Sequence, residues 1–222
     1  MNRLETDSVH LTFDGRKILS NVYLKCQTGD VVGVIGRNGS GKSCLMKIIF
    51  GSLQGENQSV RVNGVYHKQL YRIPKAIHFM PQEGLFMDYL TFKQLIEIFR
   101  LEHKLDQLME IEELHINFNT KIGELSGGVK KLIEIMSLLY ADSMFTLLDE
   151  PFSHLSPALV EKIAPHIERQ SKVKGIILTD HQYRTVWSTA NKYYILYESN
   201  LKEIYEFNEL ERYGYLMEKG TI

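Results

Sequence analysis

Residues 31–43 read Val-Val-Gly-Val-Ile-Gly-Arg-Asn-Gly-Ser-Gly-Lys-Ser, a short apolar run that passes into a glycine-rich turn and a lysine–serine pair. Few folds accommodate such a segment. The run Val31 to Ile35 reads as a buried strand, and Gly36, Arg37, Asn38, Gly39, Ser40, Gly41, Lys42 and Ser43 obey the phosphate-loop pattern Gly-x4-Gly-Lys-Ser. The glycines let the backbone curl until several N–H groups point at one anion, and a helix starting at Lys42 adds its positive end. Lys42 is expected to reach the β- and γ-phosphates of a nucleotide, and Ser43 to ligate Mg2+. Cys44 follows on the first helical turn and is counted with the loop among the nucleotide-binding positions, although a small buried thiol is the ordinary reading there.

Composition narrows the classes. A chain of 222 residues with 44% hydrophobic content can bury a proper core. The net charge of -1 excludes a general basic field, so no nucleic-acid partner is expected. Cys26 and Cys44 show no metal spacing and fit a reducing compartment. No stretch approaches the roughly 18 apolar residues of a membrane span. The first residues, Met-Asn-Arg-Leu-Glu-Thr-Asp, lack the apolar core of a signal peptide, so a cytoplasmic location is expected.

Along the chain, strand and helix patterns alternate. Residues 8–26 alternate around Asp14-Gly15 as an antiparallel hairpin, and Val60–Val65 reads as another short strand. Ser43 to Phe50 forms a helix with Leu45, Ile48 and Ile49 on one face, stopped by Gly51. Ala76–Met80, Phe145–Leu148, Ile176–Thr179 and Tyr193–Tyr197 are apolar runs that fit strands covered on both faces. Thr91 to about Leu114 reads as helical, and 193–222 as final strands and a closing helix whose tyrosines pack inward. With no Pro/Gly-rich linker, residues 1–222 form one domain. The fold class is α/β: a P-loop core with a mixed sheet, an antiparallel flank and a helical insertion over about 84–140.

Two further motifs carry chemistry. The 145–148 run ends in Asp149 and Glu150, and Pro151 then stops the strand. A carboxylate at a strand end can hold Mg2+ rigidly, and Glu150 can act on a nucleophilic water as general base. Ser126-Gly127-Gly128 opens an amphipathic helix running to about Tyr140, with Leu132, Ile133, Met136 and Leu139 on one face. That triplet is either a simple N-cap or a second anion site, and the sequence leaves both open.

In its order of motifs the chain resembles the ABC-type ATPases, the nucleotide-binding subunits of ATP-binding-cassette transporters. Gly36–Ser43 matches the Walker A loop, Gln82 the Q-loop and Leu125–Gly128 the signature. Phe145–Asp149 matches Walker B, Glu150 the catalytic glutamate, Ser153–Ser156 the D-loop and His181 the switch histidine. Phe13 matches the aromatic on which adenine stacks. Pro81-Gln82-Glu83, Asp149-Glu150-Pro151-Phe152 and Thr179-Asp180-His181 are similar to the lipopolysaccharide-export and branched-chain amino-acid permease members. By their residue types alone, Phe13 also reads as hairpin core, Gln82 as an exposed polar residue and His181 as structural.

The resemblance implies a mechanism. Two subunits sandwich two ATP molecules, each touching the Walker A loop of one copy and Ser126, Gly127 and Gly128 of the other. Glu150 polarises water, His181 contacts the γ-phosphate, and Gln82 senses it through Mg2+. Ser43, Gln82 and Asp149 make up the metal set; Lys42, Gln82, Glu150 and His181 the catalytic one. A homodimer is favoured and a heterodimer stays open. Separate integral membrane subunits would hold the ATPase at the inner face of the membrane, docked through 81–86 and the insertion. The chain departs from the family at Val129, where Gln is usual, and at Ser156, where Asp is usual. A soluble ABC ATPase on a protein scaffold, as in iron–sulfur assembly, and a P-loop kinase remain as other readings.

Overall fold

The computed structural model describes residues 1–215. A hairpin comes first, β1 (Arg3–Phe13) and β2 (Arg16–Gln27), turning at Asp14 and Gly15, both with positive φ. β1 starts five residues before the expected position because the alternation changes phase inside it. Leu4 and Thr6 are buried, then Val9 and Leu11, across a register shift at Ser8, whose φ is 54°. A bulge therefore conceals the continuity of the strand from a period-two reading. β4 (Asn57–Val62) and β5 (Val65–Tyr66) complete an antiparallel sheet in the order β2-β1-β4-β5.

A second sheet carries the chemistry. Its strands are β3 (Val31–Ile35), β6 (Ile77–Met80), β7 (Phe145–Asp149), β8 (Gly175–Asp180), β9 (Lys192–Tyr197) and β10 (Asn200–Ile204). The order is β10-β9-β3-β8-β7-β6, parallel throughout except for the antiparallel edge strand β10. β3, β7 and β8 are buried along their whole length, as runs covered on both faces must be. Alternate residues divide two cores. Val32, Val34, Leu147 and Ile177 pack with α1 (Lys42–Phe50) and the hairpin; Ile35, Leu148, Ile176 and Leu178 pack with helices on the opposite face.

Those helices are α4 (Gly127–Tyr140), α5 (Pro157–Ser171) and α6 (Tyr183–Thr189). Neither α5 nor α6 is anticipated from the sequence pattern; α5 carries an internal proline, Pro165, and α6 has only seven residues. α6 lies so close to β3 that a Cβ on Gly33 would stand 2.4 Å from Val186 Cγ1.

The helix expected from Thr91 to Leu114 is instead broken. α2 (Phe92–Phe99) has a full capping box at Thr91 and Gln94, but Arg100 adopts φ 55° and returns its N–H to Glu97 and Ile96. α3 (Leu105–Leu108) and short 3-10 turns follow, and this irregular path buries Leu101, Leu108, Ile111 and Leu114 together. No Gly or Pro marks the break in this stretch, so the sequence carries no signal for it. After β10 a 3-10 segment, Phe207–Tyr213, packs its aromatic rings against Tyr183, Trp187 and Tyr197. The closing helix expected toward Ile222 falls partly at 216–222, outside the described residues. Among the described residues no helix is long and apolar enough to cross a membrane.

Candidate functional site

The carboxyl ends of the parallel strands assemble the site. Ile35 pairs with Asp180 across β3 and β8, and Asp149 with Thr179 across β7 and β8. Registered parallel strands therefore deliver the loop after β3, the acids after β7 and the histidine after β8 to one edge, where ligands of open α/β sheets bind. Phe13, Ile18, Asn38 to Cys44, Gln82 and Glu150 line a cleft of about 310 Å³ there.

The loop is built to curl. Gly39 and Gly41 have φ of 75° and 109°. A Cβ on Gly36 would stand 2.6 Å from Ser40 Oγ, so the cradle has no room for a side chain at that position. Ser40 Oγ is buried without a partner among the described residues. Lys42 is 5% exposed, and its ammonium donates to the carbonyls of Gly36 at 2.7 Å and Arg37 at 3.2 Å. Burial lowers its pKa, while the charges of Glu150, Asp149 and Asp180 oppose that shift. Arg37 itself is exposed and donates to Gly214 O at 3.4 Å, on the C-terminal segment.

Glu150 is the hub opposite this loop. Its backbone sits at φ 50°, a left-handed conformation rare outside glycine, and its N–H is held by Thr179 O at 2.9 Å. Its Oε2 accepts from Gln82 Nε2 at 3.1 Å and Ser153 Oγ at 3.2 Å, and His181 Nδ1 lies 3.6 Å away. Gln82, hydrogen-bonded to this carboxylate, and His181, whose Nδ1 lies between it and Asp180 Oδ1 at 3.4 Å, are exposed enough to meet a ligand. Phe13 is 47% exposed and lines the cleft, so it is not hairpin core. Cys44 is half-buried in the cleft wall, and burial raises its thiol pKa.

Whether the residues suit a divalent cation is decided by Asp149, fully buried at the end of β7. One carboxylate oxygen accepts from Thr179 Oγ1 at 2.5 Å; the other has no partner among the described residues. An unpartnered buried carboxylate oxygen and the Ser43 hydroxyl are hard oxygen donors of the kind Mg2+ takes. No group of three or more acidic, histidine or cysteine ligands exists among the described residues.

Ser126, Gly127 and Gly128 are not part of this cleft. They open α4, where Ser126 Oγ caps the N–H of Val129 at 3.4 Å, and Gly127 lines an adjoining groove with Lys130, Lys131, Ser153 and Gln82, the last shared with the cleft. Three contributors escape a sequence reading. Asp180, buried, accepts from the N–H groups of Phe152 and Gln182 and so positions both flanking segments. Thr179 orients Asp149. Glu134 on α4 accepts from the N–H groups of Leu85 at 2.7 Å and Phe86 at 3.3 Å, clamping the segment after Gln82. The only hint for the first two is their place in Thr179-Asp180-His181; Glu134 has none, since its contact spans 49 positions.

The family model described as "ABC transporter" matches residues 19–153, more than half of the chain. An uncharacterized ABC transporter ATP-binding protein of Rhizobium meliloti is 30% identical over 84% of this chain and 74% of its own length. The lipopolysaccharide export system ATP-binding protein LptB of Escherichia coli is 27% identical over 90% of this chain and 89% of its own. A solved ATP-binding subunit of an ABC transporter has the same fold, with a TM-score of 0.81 at 22% identity over 94% of this chain and 92% of that one. With the phosphate loop, the paired acids and the histidine brought to one sheet edge in this fold, the chain belongs to the ABC transporter family, among its ATP-binding subunits.

Proposed function

We propose that this subunit hydrolyses ATP to ADP and phosphate, working as a pair around two nucleotides and docked on separate membrane-spanning subunits. The observation that carries the reading is the Glu150 hub: one carboxylate oxygen shared by Gln82, Ser153 and His181, across the cleft from the Lys42 loop. In this reading residues 1–222 act as one ATPase domain with about 84–140 as its helical insertion.

The residues act as follows. The loop N–H groups and Lys42 bind and orient the β- and γ-phosphates, and Phe13 stacks the base, worth about 1–3 kcal/mol and tolerant of base identity. Glu150 Oε2 takes a proton from the water that attacks the γ-phosphorus, while the bridging oxygen leaves with ADP. His181, beside the same oxygen, contacts the γ-phosphate, and Gln82 reports its presence through the Glu150 hydrogen bond. Mg2+, held by Ser43 and Asp149 with Gln82 nearby, would supply charge neutralisation on the phosphates. The separation of Ser126, Gly127 and Gly128 from the cleft supports a second copy as the source of the remaining γ-phosphate contacts. A homodimer is the simplest such pair. The lack of a membrane-spanning helix among the described residues supports partner subunits that hold the ATPase at the inner face of the membrane.

The test is to purify tagged Glu150→Gln with ATP from detergent-solubilised membranes and from cytosol. Co-purification with a multi-span membrane protein, as an ATP-dependent dimer by light scattering, is expected. Recovery only from cytosol with a soluble scaffold would replace the transport reading, and a monomer in saturating ATP would remove the paired mechanism.

A further inference from the structure

The end of the parallel sheet opposite the nucleotide cleft holds a second cavity, of about 710 Å³. Its walls come from the segments that enter the strands. Lys75 precedes β6, Asp142 and Ser143 precede β7, and Lys174 precedes β8, while Arg100, His103 and Lys104 follow α2. At about 3.3 Å per residue, the five residues of β7 alone place it roughly 15–20 Å from Glu150.

Its charge is one-sided. Lys75, Arg100, Lys104 and Lys174 line it against a single carboxylate, Asp142, which Lys75 already pairs at 2.5 Å; the imidazoles of His78 and His103 complete the polar lining. Arg100, His103 and Lys104 make no side-chain hydrogen bond or ion pair among the described residues. Two groups distinguish this from a solvated lysine face. Lys174 is 3% exposed and donates to the carbonyls of Leu139 at 2.7 Å and Ala141 at 2.5 Å. The negative end of α4 is thereby met from inside the protein and does not oppose an incoming anion. His78 Nδ1 is buried with no partner among the described residues. Burial and then the Lys174 charge depress His78 to about 4; burial depresses Lys174 to about 8 against the opposing charge of Asp142, with a smaller push from Lys104. Burial is the leading cause of both shifts, which mark two groups withdrawn from water at the cavity wall. At the rim, Ile98 and Val173 expose apolar side chains, 59% and 66% accessible.

We propose that this cavity binds a phosphoester bearing an apolar group, at a site separate from the nucleotide cleft. Arg100, His103 and Lys104 supply donors to the phosphate, Lys174 a fixed field, and Ile98 with Val173 the apolar contact. The shared chemistry belongs both to an anionic phospholipid headgroup and to a soluble phosphorylated metabolite. The site is independent of ATP hydrolysis and stands whether or not Glu150 acts as assigned.

The experiment uses the full chain with its nucleotide cleft filled by a non-hydrolysable ATP analogue and Mg2+. Inorganic phosphate is titrated while amide resonances are followed by NMR. Saturable shifts confined to 98–104, 141–143 and 174 are expected, with affinity at least about tenfold weaker in Arg100→Gln/Lys104→Gln. ATP turnover by that double variant serves as the folding control and should be unchanged. Vesicles of phosphatidylcholine with and without phosphatidylglycerol then separate the sources. Sedimentation of the wild type, but not the variant, with phosphatidylglycerol assigns a lipid headgroup; phosphate binding without sedimentation assigns a soluble phosphoester. Shifts scattered over surface lysines, or equal affinity in the double variant, would overturn the site.

Discussion

At the scale of single residues, the site is organised by groups that hold one another rather than by any one acid. Glu150 occupies a left-handed backbone position between a strand that ends and a turn that begins, and its Oε2 serves three neighbours. Glu150→Gln keeps the shape and the acceptor while removing the base. Phosphate release is expected to fall by about 10^2–10^4, with ATP affinity nearly unchanged by equilibrium binding; near-normal turnover would end the assignment. His78 gives a pH signature. Its pKa is lowered from 6.5 to about 4, first by burial and then by Lys174. Between those values the unfolded chain binds the proton and the folded one does not, so stability falls as pH drops from about 6.5 to about 4. His78→Leu should flatten that part of a urea-midpoint profile against pH; an identical slope would show that other groups carry it.

At the scale of elements, caps and breaks explain features that motif matching leaves as oddities. Ser156, where family relatives usually carry Asp, is the N-cap of α5: its Oγ accepts from Leu159 N–H at 3.3 Å, with Pro157 next in the first turn. Ser and Asp cap equally well, so the departure keeps the helix start and discards only a charge. Ser156→Ala should cost about 0.5–2 kcal/mol by urea denaturation, and Ser156→Asp almost nothing. Equal losses for the two variants would show that the cap is not what the position needs. The hairpin, the phosphate-loop helix, α4 and the apolar strands were legible because each repeats its pattern over contiguous residues. The broken insertion was not, because Arg100 ends α2 in a conformation its side chain does not announce. α5 was missed with its Pro165, tolerated once tertiary packing buries Ile163 and Ile167.

At the scale of the whole molecule, two cores meet across one parallel sheet, and their junction is tight. A Cβ on Gly175 would stand 2.7 Å from the Phe145 ring and 2.8 Å from Cys26 Sγ, all buried between β2, β7 and β8. Gly175→Ala must part the hairpin from the sheet and should destabilise by about 1–3 kcal/mol in urea, with slower turnover following from the shifted strand ends. A stability change within a few tenths would mean that the hairpin packs more loosely than these distances require. The same sheet separates its two ends: nucleotide groups at the carboxyl edge, and the cationic cavity at the amino edge.

What the sequence determined by itself was the chemistry carried by neighbours in the chain: the phosphate loop and its helix, the acids that close a strand, and the cap that opens α4. Each depends on the conformation of a few consecutive residues, and residue type governs that directly. Only the tertiary structure decided which of these groups meet. Gln82 reaches Glu150 across 68 positions, Glu134 clamps the segment after Gln82, and Thr179 turns Asp149 because β7 and β8 pair in one register. It also decided that Ser126, Gly127 and Gly128 lie outside the cleft that the other motifs share, and that scattered cations converge on a second cavity. Contacts of this range are products of strand order and packing, which no local pattern encodes.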